Sequence, residues 1–206
     1  GALGSAGAAA TAAGVRSADV EVALIVQHGA NRNADDYFCS GLRAASLQTV
    51  VAASAVAVIA PRFMEPADAP PLHTAWWNGT FPAGCWRAGG ETDPAASTTA
   101  ATISSFAVLD QIVQALLWNR AAYPKLRLVI LAGHSSGGQI VQRHALFTRL
   151  PAGPVSGVAL RHVVANPSSF AYLDPRRWVE GALRPLTPAE RAQCPMYDSW
   201  HFGIGD

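Results

Sequence analysis

The chain is 206 residues long, half of them hydrophobic and 14% charged, a balance that provides for one sizeable core and excludes intrinsic disorder. Its 15 basic and 14 acidic residues leave a net charge of +1 with no basic stripe, so nucleic acid is not an indicated partner. The longest apolar stretches, such as residues 50–60, are too short for a transmembrane helix.

Residues 1–19 are rich in Ala and Gly and read as a flexible N-terminal segment, either the remnant of a leader or a plain tail. Residues 20–26 (VEVALIV) form a nearly continuous apolar run rich in β-branched residues, the pattern of a strand buried on both faces in a parallel sheet. A turn, His28-Gly29-Ala30-Asn31, leads into a helical pattern over residues 34–48, with Asn33 as its N-cap and Asp35 and Asp36 in the first turn. Residues 55–60 (AVAVIA) make a second buried strand that Pro61 stops. An irregular stretch from residue 61 to about residue 96 carries Trp76, Trp77 and Trp86. Loops of that length are usually functional. Residues 99–120 have apolar positions at spacings of three and four and read as an amphipathic helix.

Residues 126–132 (LRLVILA) form a third buried strand, residues 133–138 a Gly-rich turn, and residues 139–150 a further helix. Residues 158–165 (VALRHVVA) make a fourth strand. Strands alternating with helices predict an α/β fold with a mostly parallel sheet between helical layers, a three-layer sandwich. Beyond residue 165 the chain is proline-rich, with short helical turns expected at 176–183 and 188–193.

The turn Gly133-His134-Ser135-Ser136-Gly137 has the G-x-S-x-G form of a nucleophile elbow, and it stands where such a turn must, between a buried strand and a helix. A strained backbone there lifts the Ser135 hydroxyl above the sheet. The N–H of Ser136 points to the same place, ready to stabilise an oxyanion. The Ala30 N–H, in the turn after the first strand, is the expected second donor, with Asn31 beside it. Trp76, Trp77 and Trp86 are candidate walls of a substrate cleft, although burial of the long loop explains them about as well. Asn166 and Ser168, just past the fourth strand, are candidate substrate contacts. No metal-ligand cluster, cofactor fingerprint or phosphate loop competes, so neither metal nor cofactor is expected.

On the segments HGANRNADDYF (28–38), APRF (60–63), SSFAVLD (104–110), AGHSSGGQIVQR (132–143), ANPSSFAYLD (165–174) and CPMYDSW (194–200), the sequence resembles the α/β-hydrolase superfamily. Within it, the chain is most similar to serine hydrolases related to polyester depolymerases and feruloyl esterases. The resemblance covers about residues 20–206, which are read as the N-terminal and central part of one such domain. It implies ester hydrolysis through an acyl-enzyme on Ser135, on a small-molecule or polymeric ester. The superfamily places an acid and then a histidine on loops after later strands. Residues 136–206 already contain one strand and the proline-rich tail, and two further strand–helix units need about 60 residues. The sheet is therefore expected to be incomplete on its C-terminal side, with the triad acid and histidine outside this chain.

Among local substitutes, His144 lies well into the elbow helix and should point away from Ser135, while His162 lies within a strand. Asp198 with His201 is the one acid–base pair, and Asp174 is a further acid. A non-catalytic binding or scaffold protein of the same fold, or an inactive fragment, is the alternative. Cys39 and Cys85 can pair in an oxidising compartment, leaving Cys194 alone, or all three remain thiols. The cysteines, the Asn78-Gly79-Thr80 sequon and the resemblance together favour secretion.

Overall fold

A computed structural model describes residues 16–205. Most of the Ala/Gly-rich segment at 1–19 lies outside the described residues, and residues 17–19 form a single 3-10 turn. The chain divides into two compact units, residues 1–167 and residues 168–206.

The first unit is an α/β fold. Its four strands are β1 (Val22–Gln27), β2 (Val56–Ile59), β3 (Leu128–His134) and β4 (Ala159–Ala165), all parallel in the order β2-β1-β3-β4. Alternation along β1 divides the core in two. Ala23 and Ile25 join Val129 and Leu131 of β3 on one face, packed by α2 (Ser105–Leu117) through Leu109, Val113 and Leu116 and by α3 (Ser136–Phe147) through Ile140 and Val141. Val22, Leu24 and Val26 lie on the other face with Val56 and Val58, covered by Phe38, Leu42 and Ala45 of α1 (Ala34–Leu47). Helices thus cover both faces of a parallel sheet, as the apolar runs predict.

Two boundaries differ from the sequence reading, for visible reasons. α2 starts at Ser105 rather than near residue 99, because Ser104 caps it by accepting the Ala107 N–H and because the Ile103 carbonyl accepts from Thr92 in the long loop. α3 begins at Ser136 and β3 runs through His134, so Ser135 alone links strand to helix and the Gly-rich turn is divided between them. Asn33 does stand at the N-cap of α1, but its side chain bonds to Asp36 rather than to a backbone N–H.

The long loop contributes to the core instead of lying over it. Phe63, Trp77 and Trp86 are buried together, with Phe63 stacked on Trp86 at 5.7 Å and tilted against Trp77 at 4.8 Å. Each indole N–H has a partner: Trp77 donates to the Gly90 carbonyl and Trp86 to the Glu65 carboxylate.

The second unit corrects one expectation. Residues 176–183 do not form a helical turn; Arg176–Val179 (β5) and Ala182–Pro185 (β6) pair as an antiparallel hairpin. Its two-residue loop is Glu180-Gly181, both at positive φ (51° and 83°), the backbone of a primed turn that matches strand twist. The expected turn at 188–193 is α4 (Pro188–Gln193), closed by a capping box between Thr187 and Glu190. Arg177 ties this unit together. It lies 3.9 Å over the Tyr172 ring and donates to the carbonyls of Asp174, Tyr197 and Phe202 and to the Asp198 carboxylate.

Candidate active site

In the strand order, the chain leaves β1 toward β2 on one side and returns as β3 on the other. The carboxyl ends of β1 and β3 therefore flank a topological switch point, where open α/β sheets form their crevice. Gln27 is paired with Gly133 in that register, so the His28-Gly29-Ala30 turn and the Ser135 elbow leave the sheet side by side.

Ser135 has φ 57° and ψ −122°, a conformation that a side chain ordinarily avoids. The turn is held on both sides. The Ser135 N–H donates to the Ala165 carbonyl at the end of β4, and the Ser135 carbonyl accepts from Gln139 as the first full turn of α3. The glycines explain how the helix comes so close. A β-carbon on Gly137 would lie 2.2 Å from the Gln27 carbonyl oxygen, and one on Gly133 would lie 2.2 Å from the Gly137 carbonyl oxygen. Helix and strand backbones meet here with no room for side chains.

The β1 turn is equally constrained. Gly29 is buried, and a β-carbon there would stand 3.7 Å from Ser135 Cβ and 2.8 Å from the Tyr37 hydroxyl. Arg32, at φ 55°, reaches back to the Ala30 carbonyl with Nη1. It also pairs with Asp68 at 2.5 Å and Glu65 at 3.1 Å in the long loop. Burial works to raise the Asp68 carboxyl, but the hydrogen bond from Arg32, the Glu65 N–H and the charges of Arg32 and Arg62 outweigh it and hold it below its ordinary value. The turn that carries the Ala30 N–H is thus bolted to the long loop by one arginine.

Each sequence-predicted residue has a definite place. Ser136 is buried at the first position of α3, and Ala30 is exposed at the β1 turn. Asn166 is exposed at φ 43°, immediately after β4. Trp76 is half-buried, whereas Trp77 is 2% exposed inside the aromatic core. That burial leaves the Trp77 ring no open face toward a ligand, and packing of the loop explains it.

The histidines sort by partner. His28 is fully buried, with Nδ1 on the Gly29 carbonyl and Nε2 accepting from Phe63, and burial lowers its pKa to about 4. It is a structural member of the turn. His144 points away from the elbow, as its helical position predicts. Its Nε2 lies 2.9 Å from Asp110 of α2 and its Nδ1 lies 3.0 Å from His162 Nε2 of β4. Burial lowers both imidazoles, His162 to about 4. Asp110 also accepts from Thr148 Oγ1 and the Arg149 N–H, so this chain of polar groups joins α2, α3 and β4. His134 is exposed beside Ser135, with Nδ1 3.3 Å from the Tyr37 hydroxyl. Among the described residues no imidazole or carboxylate is hydrogen-bonded to the Ser135 side chain.

In the second unit, Asp198 is engaged by Arg177, and His201 packs on Phe202 at 4.2 Å. Asp174 is held by Arg176 through two carboxylate contacts, which lower it to about 2. Cys39 and Cys194 are exposed thiols and Cys85 is a buried one. Among the described residues there is no cluster able to hold a metal ion, and no helix is long and apolar enough to cross a membrane.

Sequence reasoning missed Tyr37, Arg32, Glu65 and Asp68. The first two lie within the segment that carries the resemblance, but the partners that define them are distant in sequence.

No protein-family model matches the chain, and no curated protein matches it. Among solved structures, the chain is similar to the crystal structure of LpqC, a poly(3-hydroxybutyrate) depolymerase from Bordetella parapertussis. The similarity has a TM-score of 0.47 and 21% identity, and it covers 80% of this chain and 47% of that one. The chain spans about half the length of the solved structure that it matches.

Proposed function

We propose that the protein is a serine hydrolase that cleaves a carboxylic ester, with Ser135 as the nucleophile. The observation that carries this reading is the Ser135 backbone at φ 57° and ψ −122°, between a buried parallel strand and a helix N-terminus. Strain of this kind on a residue with a side chain costs on the order of 1–3 kcal/mol and concentrates at functional positions. The same turn with glycine at position 135 would pack as well, so the hydroxyl is what the strain retains.

In the proposed reaction Ser135 Oγ attacks the ester carbonyl carbon and gives up its proton to a base. The carbonyl oxygen becomes an oxyanion that accepts from the Ser136 and Ala30 N–H groups, with the N-terminal end of α3 adding positive potential. Collapse breaks the bond to the alcohol, which leaves with a proton. Water then hydrolyses the acyl-enzyme, releasing the acid and restoring Ser135. His28, His144 and His162 are engaged elsewhere and are not assigned the role of base. The substrate class is a small-molecule or polymeric ester, approached over Asn166 and Trp76.

A fluorophosphonate probe tests the reading, because Ser135 Oγ would displace fluoride and form a stable phosphonyl ester. Labelling is expected at Ser135 and is lost in Ser135→Ala. The second reading, a non-catalytic binding protein of this fold, is favoured by the absence of a base on Ser135 among the described residues. It predicts a cooperatively folded protein that the probe leaves unlabelled.

A further inference from the structure

The Tyr37 hydroxyl stands beside the candidate nucleophile although its backbone belongs to another layer. Tyr37 lies in the first turns of α1, and side chains there lean toward the helix N-terminus, which carries its ring back over the β1 turn. Its oxygen lies 2.8 Å from the point that a Gly29 β-carbon would occupy. Ser135 Cβ lies 3.7 Å from that point and the His134 carbonyl oxygen 3.8 Å from it. The phenol and the nucleophile therefore converge on one face of Gly29, next to the residue whose N–H is assigned to the oxyanion. The oxygen stands over Gly29 and contacts the exposed His134 at Nδ1, 3.3 Å away.

The direction of that contact depends on which His134 nitrogen carries the proton. A phenol has one hydrogen and accepts through its lone pairs. With the proton of His134 on Nδ1, the imidazole donates to the Tyr37 oxygen and leaves the phenolic hydrogen free to donate elsewhere. His134 is exposed, so its Nε2 can remain the solvated acceptor of that tautomer.

Resting on the assignment of Ser135 as nucleophile, we infer that Tyr37 is a further catalytic residue: its hydroxyl, oriented by His134, donates a hydrogen bond to the substrate carbonyl oxygen as it becomes the oxyanion. The proton stays on the phenol oxygen throughout. His134 acts through Tyr37 and is a positioning residue. A side-chain donor adds to the two backbone N–H groups at the atom where charge develops, so its contribution appears in the transition state rather than in substrate binding.

The test is Tyr37→Phe, which removes the oxygen and keeps the ring, assayed with 4-nitrophenyl acetate and with the fluorophosphonate probe. kcat is expected to fall about 100-fold with KM changed less than about twofold, as for loss of one oxyanion donor. Labelling of Ser135 should slow in parallel. A Tyr37→Phe protein with kcat within twofold of wild type overturns the inference, and so does a loss confined to KM. Incorporation of 3,5-difluorotyrosine at position 37 guards against misfolding, since it keeps the hydroxyl and makes it more acidic. It should change kcat and the pH profile, and an unchanged pair of curves also overturns the inference. Labelled wild type with unaffected Tyr37 variants rejects Tyr37 alone, whereas unlabelled wild type rejects Ser135 and Tyr37 together.

Discussion

The backbone N–H of Phe63 donates to His28 Nε2 at 2.9 Å, across 35 residues of sequence. A nitrogen that accepts carries no proton, so the ring holds its hydrogen on Nδ1 and donates it to the Gly29 carbonyl, also at 2.9 Å. Protonation at Nε2 would set N–H against N–H in a site with no water access. Burial accordingly lowers the pKa from 6.5 to about 4. Between those values the unfolded chain binds a proton that the folded chain refuses. Stability is therefore full above about pH 6.5 and falls as pH drops toward 4, by up to ~1.4 kcal/mol per pH unit for this group. Urea unfolding across that window should show the decline, with a shallower slope in His28→Gln. A slope that the substitution leaves unchanged would remove His28 as its source.

Ser135→Gly should trade chemistry for stability. Glycine occupies φ 57°, ψ −122° without side-chain strain, which returns about 1–3 kcal/mol, less roughly 0.5–1 kcal/mol for the extra freedom of the unfolded chain. The expected result is a gain of about 1 kcal/mol in urea unfolding together with complete loss of probe labelling. A destabilised Ser135→Gly protein would show that the turn is not strained.

Asp110→Ala should cost about 3 kcal/mol. The carboxylate receives His144 Nε2, Thr148 Oγ1 and the Arg149 N–H, and its removal leaves these buried or half-buried donors unpaired. The loss should appear in the denaturation midpoint. Labelling of Ser135 by the probe should persist under native conditions, because the Asp110–His144–His162 chain bonds among α2, α3 and β4 and not to the elbow.

β1, β2 and β3 were legible because a parallel strand covered on both faces has to be apolar throughout, and VALIVQ and LVILAGH retain little that could be a surface, whereas β4 lies at the sheet edge with Val163 and Val164 exposed. The elbow was legible because its glycines recur at spacings dictated by backbone contact. The hairpin of the second unit was not, since Glu180-Gly181 is a weaker turn signal than Asn-Gly and exposed strands lack an apolar run. Trp77 illustrates a different limit: its place in the core depends on Phe63 and Trp86, which no spacing along an irregular loop reveals. Tyr37 was invisible for a related reason. Nothing in a helical period says that a ring in the first turns of α1 will meet the end of β3.

The close approach of α3 to β1 has a consequence for how such turns persist through descent. Gly133 and Gly137 are required by carbonyl groups 2.2 Å from where their β-carbons would be, a demand independent of any reaction. With or without a reaction at this turn, those two glycines would have to be kept. The serine between them is under the opposite pressure, because its backbone favours replacement by glycine the moment the hydroxyl is idle. The glycines are thus a record of shape, and the serine is the letter in that motif on which the proposed chemistry depends.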